Sequence, residues 1–433
     1  MKSDKKTAGT SMFPVYHKGR PDERMLLAVI TMIFLLAIYI IHRSNLEFGK
    51  FDPTITGFII LASFWAIHFF LIFRKEKGDE LFLPLAAFLS ILGWIIVFRL
   101  RPQLASKQMI WILAGEAVFL LWICFVKDYR VLEDFKYLFL VGAVSLQAAV
   151  AIFGKEVNGA KLWFDFGVFS FQPVEFVKIF LTVFLAAYLK QNREILDKPI
   201  NRDSIGLLMR YIIPLLVLWG AAQMVLVLQK DLGMALLLFG TFLGLFYAST
   251  RKTGFTALGI ALSVGGAFLL YRFFPHMRVR INTWLDPWAT AQDSGYQIVQ
   301  ALYAIANGGL TGAGLGMGEP SSIPAIYTDY IFAAILEELG LWGGIVILGL
   351  FLVLIQRMFK SSVCSKDEFS AFLALGLGLM FATQVFVIIA GTVKMIPLTG
   401  ITLPFISYGG SSIVANFLML AIMFQISSGC RNQ

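Results

Sequence analysis

The chain has 433 residues, of which 58% are hydrophobic and 15% charged, and a formal net charge of +9. That leaves too little polar surface to cover a water-soluble globule of this length, so the chain belongs in a bilayer. Its basic excess is what the cytoplasmic loops of membrane proteins carry, and it gives no ground for a nucleic-acid partner.

In chain order, residues 1–24 form a basic arm with Lys2, Lys5, Lys6, Lys18, Arg20 and Arg24 ahead of any apolar run. No small-residue cleavage site follows, so the first run is read as an uncleaved anchor rather than a signal peptide. The arm suits anionic lipid headgroups or a cytoplasmic partner, or serves only as a topology signal. A spanning helix needs roughly 20 mostly apolar residues, and about twelve such runs are present. They lie near 25–41, 55–73, 81–98, 109–126, 137–153, 173–190, 211–228, 232–249, 254–272, 331–355, 369–391 and 411–427. No run alternates as the strands of an outer-membrane barrel do. The expectation is an all-α, polytopic bundle forming one transmembrane domain over 25–427, followed by a cytoplasmic tail, 428–433.

With the N-terminus inside, Lys and Arg are roughly twice as frequent in inside segments as in outside ones, which places both termini in the cytoplasm. Only 99–108, with Arg99, Arg101 and Lys107, argues the other way. The long stretches 154–172, 273–330 and 392–410 then fall outside, and 191–210 and 356–368 become short cytoplasmic connectors. A loop as long as 273–330 is usually functional, so chemistry is expected on the outer face.

Cys124, Cys364 and Cys430 stand in no metal-ligand spacing, and the last two fall in cytoplasmic segments, so no disulfide framework is expected. His17, His42, His68 and His276 are scattered and pair with no Cys, so no zinc or other transition-metal site is expected. Ionisable groups at membrane depth are functional candidates by default. Glu175 and Lys178 share one face of the sixth span just after Pro173, where they pair for packing or for function. Asp231, in the short Gln229-Lys230-Asp231 link, is placed to cap the following helix. Glu116 is a packing or a cavity-lining residue.

The glycine run from Gly308 to Gly318 follows no predicted strand and lacks a G-K-[ST] ending. Tight turning or close approach of the backbone to a ligand is therefore preferred to nucleotide binding. Residues 296–305 have helical spacing and suit an interfacial helix or a short re-entrant one. Glu337 and Glu338 begin the deep part of the tenth span, and the small and hydroxyl residues of 404–412 suit close helix packing.

These residues form an ordered set that resembles the SEDS family, which includes RodA, FtsW and SpoVE. Asn158-Gly159-Ala160-Lys161-Leu162-Trp163 with Gln172-Pro173-Val174-Glu175 and Lys178 is similar to N-G-A-R/K-R-W and Q-P-S-E-x-x-K. Gln229-Lys230-Asp231-Leu232-Gly233 resembles Q-P-D-L-G. Gly295-Tyr296-Gln297, Gly312 to Gly316, Ile323-Pro324, Thr328 to Phe332, Glu337 to Gly340 and Pro397 to Ser412 continue the series, over about residues 85–427. The resemblance implies about ten core spans, and this chain departs from it by carrying about two more at its N-terminal end. The resemblance also implies glycan polymerisation from lipid II, in the bacterial cytoplasmic membrane, beside a class B penicillin-binding protein.

Such transfer needs a carboxylate to take the acceptor proton and cations for the leaving pyrophosphate. Lys161, Lys178, Arg278 and Arg280 are the expected cations, with Glu175, Asp231, Ser407 and Ser411 as further substrate-binding candidates and a divalent cation as a possible aid. The resemblance puts an essential Asp six residues before the Tyr of G-Y-Q, where this chain has Thr290. Asp293 and Asp286 are the nearby carboxylates expected to substitute. Ala325 and Tyr327 likewise replace the family's Glu and His after Ile323-Pro324. The chain is thus read as a divergent member. A glycosyltransferase is the first reading, a non-catalytic scaffold binding lipid II or a penicillin-binding protein the second, and a lipid-linked-precursor flippase the third.

Overall fold

The computed structural model describes residues 19–43, 53–157, 160–167, 169–196 and 202–430. The first helices are α1 (Pro21–Arg43), α2 (Pro53–Phe73), α3 (Phe82–Leu100), α4 (Pro102–Phe125), the short α5 (Val131–Asp134) and α6 (Lys136–Phe153). Three strands follow, β1 (Lys155–Val157), β2 (Ala160–Asp165) and β3 (Ser170–Phe171). Next come α7 (Val174–Gln191), α8 (Arg193–Leu196), α9 (Arg202–Leu228), α10 (Leu232–Thr250), α11 (Thr253–Phe273), α12 (Pro275–Leu285) and α13 (Tyr296–Gly308). The last three are α14 (Ile331–Cys364), α15 (Glu368–Thr392) and α16 (Gly410–Cys430).

Eleven of the described helices are long and apolar enough to cross a membrane. Helix α7 occupies the remaining expected span and is set apart by carrying Glu175, Lys178 and Lys190 in 18 residues. Apolar sequence folds as helix in lipid because only a helix satisfies its own backbone there. Pro21, Pro53, Pro102 and Pro275 open their helices, where the missing N–H costs nothing.

Helices α3, α7, α15 and α16 form the centre and bury most of their side chains, whereas α11 buries none. The additional pair α1 and α2 packs on α3 and α4. A fully buried cluster locks this pair: Arg20 Nη2 contacts Glu23 at 2.5 Å, and the other Glu23 oxygen lies 2.7 Å from His68 Nδ1. Arg20 also donates to the carbonyls of Glu76 and Gly78, at 3.0 and 3.1 Å, tying the start of α1 to the α2–α3 turn.

Several expectations are corrected. Residues 21–24 of the basic arm are the first turn of α1, and residues 1–18 lie outside those described, as do Asn158, Gly159 and residues 431–433. The stretch 154–172, expected to be irregular, holds the antiparallel sheet β1-β2-β3. Helix α14 runs on to Cys364, so most of the expected connector 356–368 is helical. Residues 296–305 are helical as expected, forming α13, which packs against α14 in keeping with the second of the two alternatives. The absence of a disulfide is also overturned: Cys364 and Cys430 are joined, with Cα atoms 5.5 Å apart. The ends of α14 and α16 converge, which a separation of 66 residues in sequence does not reveal.

The glycine run serves α14. Gly340 has φ +69° and breaks that helix, and the loop supplies the bonds the break removes. Ala313 and Gly314 N–H donate to the carbonyls of Glu337 and Glu338, and Leu341 and Trp342 N–H donate to those of Gly309 and Leu310. A Cβ on Gly312, at φ +82°, would lie 2.2 Å from the Glu338 carbonyl oxygen, so only glycine fits.

Candidate active site

The chain path brings the β-sheet, the α9–α10 link, α12 and the loops 323–330 and 392–409 to one end of the bundle. They enclose a cavity of about 470 Å³, lined among others by Gln172, Glu175, Lys230, Asp231, His276, Arg280, Thr328, Asp329, Thr399 and Tyr408.

Glu175 enters from the first turn of α7 and is held from behind by Lys178, 2.6 Å away. Lys178 Nζ donates to Gln384 Oε1 at 2.8 Å, and Gln384 Nε2 donates to the Thr402 carbonyl at 2.9 Å. Lys178 is fully buried and does not line the cavity, so its expected contact with pyrophosphate is corrected to support of Glu175.

Asp231 caps α10 as its position predicts, with Oδ1 accepting from Met234 N–H at 3.1 Å. Its Oδ2 is buried and without a hydrogen-bond partner. Burial and the neighbouring Glu175 push the Asp231 carboxyl up to about 6, against the capping hydrogen bond and the opposing pull of Arg280. Asp329 is likewise pushed up to about 6 by burial, against its hydrogen bond to Thr328 and the charge of Arg280. Arg280 therefore acts on both carboxyls from the mouth of the cavity. His276, beside Arg280 and Lys230, is held below its ordinary value by burial and by those two cations, which favours the neutral imidazole.

Two expected serines build walls. Ser407 Oγ donates to the Thr328 carbonyl at 2.6 Å and accepts from Leu403 N–H at 2.9 Å, which fixes the residue before Asp329. Ser411 Oγ accepts from Gln172 N–H at 2.8 Å, which fixes the approach to α7.

Other expected residues do not reach the cavity. Lys161 lies between the lining residues Ala160 and Leu162 but does not line the cavity. Arg278 is turned back, donating to the carbonyls of Tyr271 and Arg272 at the end of α11. Asp286 is exposed and caps a short turn, its Oδ1 accepting from Trp288 and Ala289 N–H, each at 3.2 Å. Asp293 is exposed on the same loop, and neither carboxylate lines the cavity. Thr290 is tucked beneath Gly295, its Oγ1 buried. Sequence reasoning missed Asp329, Lys230 and His276 as lining residues, although the first two stand inside the quoted motifs.

Comparison with known proteins places this arrangement. The model of a family described as "Cell cycle protein", covering FtsW, RodA and SpoVE, matches residues 89–432. The peptidoglycan glycosyltransferase RodA of Mycobacterium tuberculosis is 37% identical over 98% of this chain and 94% of its own. Stage V sporulation protein E of Bacillus subtilis is 32% identical over 82% of this chain and 98% of its own. Among solved structures, a chain of a peptidoglycan synthase complex matches with a TM-score of 0.67 and 26% identity, over 81% of this chain and 97% of that one. The rod shape determining protein RodA of Thermus thermophilus matches with a TM-score of 0.60 and 26% identity, over 82% and 98%. The mycobacterial match takes in nearly the whole chain, so α1 and α2 have counterparts there.

Proposed function

Because the chain belongs to the FtsW, RodA and SpoVE family, we propose that it is a peptidoglycan glycosyltransferase that polymerises lipid II at the outer face of the bacterial cytoplasmic membrane. The observation that carries this reading is the cavity in which Asp231 and Asp329, both pushed up to about 6, face Arg280 and Lys230. A base of that strength is mostly ionised at pH 7 and still accepts a proton readily.

In this reading Asp231 Oδ2 takes the proton of the acceptor hydroxyl as its oxygen attacks the anomeric carbon of the donor sugar. The bond from that carbon to the pyrophosphate breaks, and Arg280 and Lys230 stabilise the departing charge. Asp329 and Glu175 orient the sugars, and neutral His276 offers a further hydrogen bond. A divalent cation is proposed only as a companion of the donor pyrophosphate. Among the described residues no three His, Cys, Asp or Glu side chains are grouped to hold a metal, and no step is routed through one.

The partner is proposed to be a class B penicillin-binding protein, a reading supported by the likeness to a chain of a peptidoglycan synthase complex. Likeness to a rod shape determining protein favours service in cell shape. Both termini are proposed to be cytoplasmic. A second reading, a scaffold that binds lipid II without polymerising it, rests on Thr290 alone. Incubating the purified protein with labelled lipid II, with and without its partner, separates the two. Glycan strands with matching release of the lipid pyrophosphate support the enzyme; lipid II binding without strands supports the scaffold.

A further inference from the structure

A second cavity, of about 330 Å³, lies at the opposite end of the bundle from the candidate active site. It opens where α2 and α4 end against the last turns of α16, and its lining includes Arg74, Glu76, Cys124, Lys127 and Gln425. Nothing in the glycosyl-transfer chemistry uses it.

Its backbone is fixed while its two cations are exposed. Gln425 Nε2 donates to the carbonyls of Val126 and Lys127 at 2.7 and 3.3 Å, and its Oε1 accepts from Trp122 Nε1 at 2.9 Å, so the turn after α4 is clamped to α16. On the other rim Arg20 holds the carbonyl of Glu76. Arg74 is 44% exposed and only 3.6 Å from Glu76, and Lys127 is exposed. The lining thus carries two cations and one carboxylate.

The lipid side is marked as well. Phe73 and Phe125, the last residues of α2 and α4, are 85% and 77% exposed. One turn deeper on the same faces, Phe69 and Leu121 are also exposed. Apolar side chains exposed along a spanning helix meet acyl chains, so these faces carry the lipid side up to the helix ends beside the cavity.

We propose that this cavity binds the headgroup of a membrane phospholipid, with its phosphodiester between Arg74 and Lys127 and its acyl chains along the exposed faces of α2 and α4. Glu76 is placed to receive the ammonium of an amino-headgroup. A free phosphate shares the anionic chemistry but would make no use of those apolar faces. Since α2 precedes the region matched by the family model, the site is a property of the additional N-terminal pair docked on the core.

Cys124 lines the cavity and is outside the disulfide, so it reports occupancy directly. The full-length protein in nonionic detergent would be alkylated while phosphatidylglycerol, phosphatidylethanolamine, diacylglycerol or inorganic phosphate is titrated in, with modification at Cys124 read by peptide mass spectrometry. Both phospholipids should slow modification, whereas diacylglycerol and phosphate should not. In Arg74→Ala/Lys127→Ala the half-protecting phospholipid concentration should rise on the order of thirtyfold, from two lost cation contacts. Arg74→Lys/Lys127→Arg should keep protection, which separates charge from folding. Equal protection by diacylglycerol would reduce the site to an apolar crevice, and equal protection by phosphate to a free-anion site. Undiminished protection in the alanine variant would remove the cations from it, and each of these three results overturns the proposal.

Discussion

Asp231 uses its two oxygens differently: Oδ1 caps α10, and Oδ2 is buried without a hydrogen-bond partner in the cavity. Asparagine keeps a capping oxygen but cannot act as a base. Asp231→Asn should therefore lower the rate of polymerisation about 10²- to 10⁴-fold while the helix stays capped. The same change should stabilise the fold at pH 7. A carboxyl held near 6 when folded and near 3.8 when unfolded contributes stability that is complete below the lower value and lost as pH rises through the higher one. Removing it should recover up to about 3 kcal/mol, so thermal unfolding in detergent should show a higher midpoint for Asp231→Asn at pH 7.5 and little difference at pH 4. Activity runs the other way: the wild-type rate should fall as pH drops through about 6, where the base becomes protonated. Lys178 presents a different case, since both members of its pair are buried. Lys178→Ala leaves Glu175 as a buried, uncompensated charge and should cost roughly 3–5 kcal/mol, whereas Glu175→Gln/Lys178→Met should recover most of that loss. If the single and double variants unfold alike, the pair has no such role.

At the scale of elements, the helical spans were legible because lipid leaves an apolar segment no alternative, and Glu175, Lys178 and Asp231 were legible because an ionisable residue at membrane depth stands out. What escaped notice was contact between distant segments. Asp329 lies in a loop where an acid looks ordinary, and contacts such as those of Ser407 with Thr328 and of Thr392 with the Asp329 carbonyl hold it at the cavity that Asp231 also lines. Asp293 and Asp286 illustrate the converse, being close in sequence to the expected base position yet no part of the cavity lining. The glycine run was ambiguous for a related reason. Its task is to complete the hydrogen bonding of α14 at Gly340, and that partner is invisible in a motif. Gly312→Ala places a Cβ against the Glu338 carbonyl at a left-handed backbone position, so it should cost about 1–3 kcal/mol and lower the unfolding midpoint. An unchanged midpoint would mean that the loop does not support the broken helix.

Across the whole molecule, the two ends of the bundle carry different chemistry. One end gathers carboxylates and cations around one cavity, and the opposite end is bound by Arg20, Glu23 and His68 and closed by the Cys364–Cys430 bridge. Helix α11 buries none of its residues and packs on α10, while α12 beyond it carries Arg280 to the site. The loop bearing Thr290 lies outside that cavity, and the chemistry is assigned to the residues within it. The measurement that bears most directly on this assignment is polymerisation of labelled lipid II by the wild type, Asp231→Asn, Asp293→Ala and Asp286→Ala side by side, each with the partner present. The expected result is strands from the wild type and from both loop variants, and nearly none from Asp231→Asn. Strands that persist in Asp231→Asn and vanish in Asp293→Ala or Asp286→Ala would contradict the account and return the base to the loop.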